Sequence, residues 1–486
     1  MPRLRFALVL ASLSSVVVIA AASCGGDDAP SAAASGASAD SSTTASSASA
    51  SSSSASSSSS STGSGTPVDA GSGPCGLPGS VQFTADGPAV VPGGLPICAS
   101  GSQDHCQPFD LRFLSMPTGF CVHYYASVGD ARQIRFAPGG DLFVASPTTG
   151  TTGGGLDGVG GIVVLPQGAD GFALGSTRCF GGTNGCITYK SNLPSTQGLL
   201  FANDSLYFQD HDSIFRVPYA AGDHAPSAPP TLIASMTAAN GFYSSSGHWP
   251  KTLDVADDGT IYVSNGGDDL EPCVEPHPFH GGIYKVDTTT TPVGVARGFR
   301  NPIAVRCARG KNQCFAVELA KDFSGPDRGR EKLIPFKQGD DWGFPCCATK
   351  DTPYTGQTTQ TGATPRCGGI STESDGFIIG DTPFGVAFEP GTWPSPWTND
   401  AFVVLHGVVS SWAGARLIAV SMDPTTGLPV TGTDIGGDSG GMTDFATGWD
   451  DFTFAHGRPA ALEFSSDGRL FLANDNDGSI LWIAPL

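Results

Sequence analysis

The chain has 486 residues and a formal net charge of -20 at pH 7, a balance that argues against nucleic acid or an anionic membrane surface as partner. Its 66 glycines and 37 prolines work against long helices, since the first raises the backbone entropy lost on folding and the second removes an N–H.

At the N-terminus Arg3 and Arg5 precede an apolar run from Phe6 to Ala22, the charged head and greasy stretch of a bacterial export signal over residues 1–23. The run is short for a membrane span and contains Ser12, Ser14 and Ser15. It ends in Ala21-Ala22-Ser23-Cys24, a small-residue cleavage site that resembles a lipobox, with Ala21 where that pattern has Leu. Cys24 is the expected lipidation site, with simple secretion as the alternative. The chain has 13 cysteines, an odd number for an exported protein, and setting Cys24 aside leaves 12 that can all pair. Disulfides are the default in an oxidising compartment. Cys179 with Cys186, and Cys307 with Cys314, each close a short hairpin. Cys346 and Cys347 are adjacent and are expected to reach separate partners. No CxxC pair or clustered Cys/His spacing suggests zinc.

Residues 24–74 are mostly Ser, Ala, Gly and Thr. Such a segment has too little to bury to offset its ordering entropy and reads as a disordered tether. Residues 75–486 form the folded part.

A phrase recurs along it: a turn rich in Gly, Asp or Asn, then alternating apolar residues. It occurs at Gly139–Ala145, Asn203–Gln209, Asp258–Ser264, Lys311–Val317, Asn399–Leu405 and Asp467–Ala473. Each has the period-2 alternation of a half-buried strand entered through a tight turn. A preceding strand is legible at Arg132–Phe136, Thr252–Val255 and Ala461–Phe464, and a following one at Ser213–Val217, Gly282–Val286 and Ser479–Ile483. Such a unit is one propeller blade, and six of them about 55 to 90 residues apart predict an all-β, six-bladed β-propeller. Its blades are four-stranded, with long inter-blade loops and disulfides.

Candidate chemistry gathers where inner strands begin. His248 stands just before the inner strand of the third blade, where a histidine can serve as a base near neutral pH. A blade later, Arg300 and Asn301 lie between Gly298 and Pro302, where the next inner strand starts. A histidine before one inner strand, then an Arg-Asn-Pro phrase before the next, resembles the soluble pyrroloquinoline-quinone (PQQ) sugar dehydrogenases, the glucose/sorbosone dehydrogenase family. The resemblance runs from about Ala131 to the C-terminus. It implies that His248 removes a sugar hydroxyl proton, that Arg300 contacts cofactor and substrate, and that Asn301 hydrogen-bonds the quinone.

Further phrases match the same family. Ser324–Ile334 followed by Lys337–Pro345 is similar to its Gly-Pro loop with an acidic residue and a terminal Gly-Trp-Pro, Phe344 standing for Trp. That likeness implies Ca²⁺ held at Gly325 and Pro326, supported by Glu331; hard oxygen donors suit that ion. His456–Ala460 opens the last blade, and Arg458 resembles the arginine that pairs with a PQQ carboxylate, a task for a planar guanidinium fork. Leu405-His406-Gly407 is shared with the sorbosone-type branch, a likeness that implies a pocket-facing, cofactor-binding His406, with an ordinary strand-end histidine as the alternative. Two features depart from the family's glucose dehydrogenases: no lysine occurs between Val408 and Ser421, and Gly247 stands where an acidic residue precedes the histidine.

The expectation is therefore an exported, lipid-anchored oxidoreductase that takes a sugar or polyol substrate and passes electrons to an external acceptor. Its membrane contact is through the anchor alone. The alternative is a non-enzymatic surface propeller that binds glycan or protein. A metal-dependent lactonase would need several carboxylate or Asn ligands around the channel, of which only Asp254 and Asn301 suggest themselves. Cys24→Ser should release the protein from the membrane fraction with its fold intact, because the tether isolates the anchor; recovery of unacylated wild-type protein in the soluble fraction would rule the anchor out.

Overall fold

The computed structural model describes residues 73–99, 106–148, 159–174, 178–179, 186–236, 248, 250–267, 273–274, 281–286, 291–320, 331–349, 352–369, 377–378, 382–408, 412–430, 441–450, 456–475 and 477–486. All lie in the compact unit Pro67–Leu486. Among them the only helices are two single 3₁₀ turns, Pro74–Gly76 and Leu111–Phe113.

Six antiparallel sheets follow one another along the chain. Blade one is Gln133–Phe136, Leu142–Ser146, Gly161–Leu165 and Ile187–Ser191. Blade two is Leu199–Ala202, Ser205–Asp210, Ser213–Pro218 and Thr231–Ser235; blade three is Leu253–Val255, Ile261–Asn265, Gly282–Val286 and Val293–Arg297. Blade four is Asn301–Ala308, Gln313–Leu319, Lys332–Phe336 and Phe377–Ile378; blade five is Pro383–Phe388, Ala401–Leu405, Arg416–Val420 and Met442–Ala446. Blade six takes Arg458–Phe464, Leu470–Asp475 and Ser479–Pro485, and its fourth strand, Phe120–Val128, comes from the other end of the folded chain. The first strand of each blade contacts those of its two neighbours, which closes the ring.

The six recurring phrases are the second strands of the six blades, and their turns explain why Gly, Asp and Asn recur. Gly140, Gly259 and Gly468 sit at φ +94°, +86° and +83°, and Asn203 and Asp204 at φ 50° and 51°. Only Gly takes that region freely, and Asn and Asp tolerate it better than other side chains do. The fourth strand of blade six has no such signature. Phe120–Val128 is buried at every position, so it lacks the alternation that marks a half-buried strand. The sheet therefore starts upstream of Ala131, and the hairpin Val81–Thr84/Gly87–Val90 extends it further.

Disulfides fix the loops. Cys307–Cys314 bridges the hairpin of blade four, as its spacing predicts. Cys346 and Cys347 part, to Cys273 and Cys367. Cys75 joins Cys121 on the closing strand, and Cys98 joins Cys106. Cys186 is also disulfide-bonded, while the side chain of its expected partner Cys179 lies outside the described residues.

The closing seam is held by Trp482, which is fully buried. It stacks on His123 of the fourth strand at 4.8 Å and donates from Nε1 to the Gly171 carbonyl at 2.9 Å. Trp482→Ala should cost about 3–5 kcal/mol, read as a lower urea midpoint with an unchanged slope.

Candidate functional site

Because first and second strands run antiparallel, the start of every first strand and the end of every second strand lie at one end of the ring. His248, Arg300, Asn301, His406 and Arg458 all stand at such positions, so the fold brings them to the same mouth of the channel.

His248 is buried. Its Nδ1 donates to the carbonyl of Gly267, which selects the tautomer whose lone pair is on Nε2. The amide of Gly267 in turn donates to the carbonyl of Arg300 at 2.7 Å. Gly266 is the pivot: a Cβ there would lie 2.4 Å from the Cβ of His248 and 3.2 Å from Oδ1 of Asn301. The Gly266-Gly267 pair at the end of the second strand of blade three thus lets histidine and asparagine approach from neighbouring blades. Asn301 is buried, and its Oδ1 has no hydrogen-bond partner among the described residues.

Arg300 is anchored from behind. Its backbone N–H donates to Oε1 of Glu318 at 2.9 Å and its Nη1 to the carbonyl of Ala320 at 2.8 Å. Burial raises the Glu318 carboxyl above the usual carboxylate range, against the pull of Lys332 and Arg300. Lys332 Nζ stands 3.8 Å from Glu318.

A second group joins blades five, six and one. His406 Nε2 donates to Oδ2 of Asp475 at 2.9 Å, and the same oxygen meets Arg132 Nη1 at 3.1 Å. Burial lowers the His406 ring to about 4, outweighing the attraction of Asp475, so His406 is a neutral donor. Burial pushes Asp475 upward, but His406, Arg132 and Arg458 outweigh it and hold the carboxyl at about 2. Phe384 stacks on the His406 ring at 4.0 Å. Arg458 donates from Nε and Nη2 to the carbonyls of His406 and Gly407, which leaves its Nη1 edge for another acceptor. Burial lowers its guanidinium to about 10, still a cation at neutral pH.

Three supporting residues escaped the sequence reading: Asp475 and Arg132, the carboxylate and cation gathered at His406, and Glu318, which holds the backbone of Arg300. Asp475 lies two residues past the sixth copy of the repeat and Glu318 one past the fourth, so both stand at the end of a second strand, and that place is the signal that would have found them. Of the calcium residues, Gly325 and Pro326 lie outside the described residues, as does Cys24. Glu331 accepts the backbone N–H of Thr382, which joins its loop to the start of blade five. Among the described residues no three His, Cys, Asp or Glu side chains are grouped to hold a metal. Asp254 accepts the Cys307 N–H at 2.8 Å, toward the opposite end of the inner strands from Asn301, so the pair does not make a lactonase site.

The ionisation of His406 predicts a pH dependence. Its folded value of about 4 lies below its ordinary 6.5, so it contributes stability that is complete above pH 6.5 and is lost as pH falls toward 4. The urea midpoint should drop between pH 7 and pH 5, and the drop should shrink in His406→Gln. It should not vanish, because burial also lowers His123 to about 4. An equal drop in the variant would show that His406 is charged in the folded protein.

No protein-family model matches the chain, and no curated protein matches it. Solved structures match in shape. The holo form of the pyranose dehydrogenase PQQ domain from Coprinopsis cinerea superposes with a TM-score of 0.57 at 15% identity, over 80% of this chain and 100% of its own. A calcium structure of a Trichoderma reesei carbohydrate-active enzyme of family AA12 gives 0.56 at 17% identity, over 77% and 97%. The apo form of the soluble aldose sugar dehydrogenase from Escherichia coli gives 0.50 at 13%, over 76% and 100%. At these identities the likeness is one of fold: the chain is built on the propeller that these enzymes share.

Proposed function

We propose that the protein oxidises an aldose-like sugar or polyol at its C1 hydroxyl, with PQQ as hydride acceptor and an external electron acceptor downstream. The observation that carries this reading is the pairing of His248 with Asn301 across Gly266. A buried imidazole held as the Nδ1–H tautomer keeps its basic lone pair on Nε2, and beside it stands a buried amide whose oxygen is unmatched.

The donor set suits PQQ. An unmet buried amide is costly, and a polar cofactor edge in contact with Asn301 would relieve that cost. Arg300 and Arg458 supply guanidiniums to the carboxylates of PQQ, and the open Nη1 edge of Arg458 is shaped for such a partner. His406, neutral and braced by Asp475, adds a flat, uncharged face next to Arg458. When bound, PQQ supplies the two-electron redox chemistry, which no side chain here can provide.

The roles of the chain's own residues follow. His248 takes the hydroxyl proton on Nε2, and the Gly267 carbonyl stabilises the imidazolium that results. Arg300, fixed by Glu318 and Ala320, offers positive charge to the oxygen on which charge develops. The ion pair of Arg132 with Asp475 keeps the second group from adding more cation than the pocket can hold. We assign Ca²⁺ to Gly325, Pro326 and Glu331, where its link to Thr382 would tie the loop to blade five. Export, with a lipid anchor at Cys24, completes the reading, and the five disulfides given above accord with an oxidising compartment.

Purified protein reconstituted with PQQ and Ca²⁺ should oxidise at least one aldose in a dye-linked screen, and Ca²⁺ should raise Tm while a chelator lowers it. His248→Gln should retain PQQ and lose about 10²-fold or more in turnover. Arg458→Ala should instead shed cofactor, seen as loss of PQQ absorbance on gel filtration. Failure of the wild-type protein to bind PQQ or to oxidise any sugar would leave the non-enzymatic propeller as the better account.

A further inference from the structure

The opposite mouth of the channel holds a second cavity, of about 530 Å³. Its floor is built from one register position, the residue two before the turn that ends each first strand. In blades one, two, three, four and six that residue is Arg135, Leu200, Asp254, Arg306 and Glu463, and all five line the cavity. The charged members are linked: Arg135 Nη1 and Arg306 Nη2 both donate to Oε2 of Glu463, at 2.8 and 2.6 Å.

The floor has more donor than acceptor. Arg306 makes that one hydrogen bond among the described residues, and its Nε stands 3.9 Å from Asp254, outside hydrogen-bond reach. Arg309, at the rim, donates from Nη1 to the Val255 carbonyl at 2.6 Å and meets Asp254 from Nη2 at 3.4 Å, with its side chain 59% exposed. Arg135 Nε is buried with no hydrogen-bond partner among the described residues. Three guanidiniums thus share two carboxylates, Glu463 and Asp254, with the carbonyls of Leu253 and Val255 taking one N–H group each of Arg135 and Arg309. The other two carboxylates of the lining are already filled by their own turns: Glu389 accepts the amides of Gly391, Thr392, Trp393 and Asn399, and Asp423 those of Thr425 and Thr426. Lys311 donates to the Pro424 carbonyl. Above the floor the wall carries phenyl rings from four blades, Phe136, Phe201, Phe388 and Phe464, each partly exposed.

We propose that this mouth binds a small organic carboxylate with an apolar body, its carboxylate taken by Arg306 and Arg309 and its body by the phenyl wall. A guanidinium with unfilled N–H groups, half desolvated in a cavity, is the group that meets a carboxylate bidentately, and the aromatic wall accepts the remainder of the molecule. The site is separate from the His248 mouth and does not depend on PQQ.

The test uses the full chain without PQQ and 4-fluorobenzoate as probe, followed by ¹⁹F NMR, with 4-fluorobenzyl alcohol as the neutral counterpart. Fluorobenzoate should bind saturably and the alcohol should not. Affinity should fall about tenfold in Arg309→Gln, whose side chain is largely exposed, and at least as far in Arg306→Gln, with an unchanged urea midpoint of each variant showing that the fold is kept. Arg458→Gln, at the other mouth, should leave binding unchanged. The proposal fails if fluorobenzoate shows no saturable binding up to about 10 mM, the weak end of ligand affinity, if the alcohol binds equally well, or if the loss follows Arg458→Gln rather than Arg309→Gln.

Discussion

Everything in this molecule rests on one seam, the pairing of Phe120–Val128 with Ser479–Pro485. A propeller blade cannot bury both faces alone, so each sheet depends on neighbours and an open ring would leave two faces wet. Here the two halves of blade six come from opposite ends of the folded chain, and the seam makes the other five interfaces mutually supporting. Cys75–Cys121 reinforces the same strand from the N-terminal side. Closure also sets the precision of the functional mouth, because His248, Arg300, His406 and Arg458 come from four different blades and hold their spacing only in a closed ring.

Where a residue's role was local, the sequence disclosed it. The Asp258-Gly259 and Asp467-Gly468 turns are readable because few side chains accept their backbone conformation, and the strands after them because one face is wetter than the other. Cys307 and Cys314 were readable because a hairpin places them opposite one another. His248 and Arg300-Asn301 stood out by their place just ahead of inner strands. What stayed hidden was long-range. Phe120–Val128 is buried on both faces and resembles any apolar run. Asp475 looks like the end of a repeat until the ring brings Arg132 and His406 to it. Gly266-Gly267 looked like another loop, yet the first glycine is what allows His248 and Asn301 to approach.

The two mouths of the channel handle charge in different ways. At the His248 mouth each cation has a support: Asp475 for Arg132 and His406, Glu318 for the backbone of Arg300, carbonyl oxygens for Arg458. At the other, Arg135 and Arg306 draw on a single carboxylate oxygen. Burial makes unbalanced charge costly, so the second arrangement is the less satisfied of the two.

The bridge Arg135–Glu463–Arg306 ties blades one, six and four across the axis, and Arg135 Nη2 reaches on to the carbonyl of Leu253 in blade three at 3.3 Å. The bridge is therefore a cross-brace over the channel, linking first strands of four blades at the floor of the cavity. A displacement of any one of those strands is passed to the other three, so this end of the ring gives way as a unit rather than blade by blade.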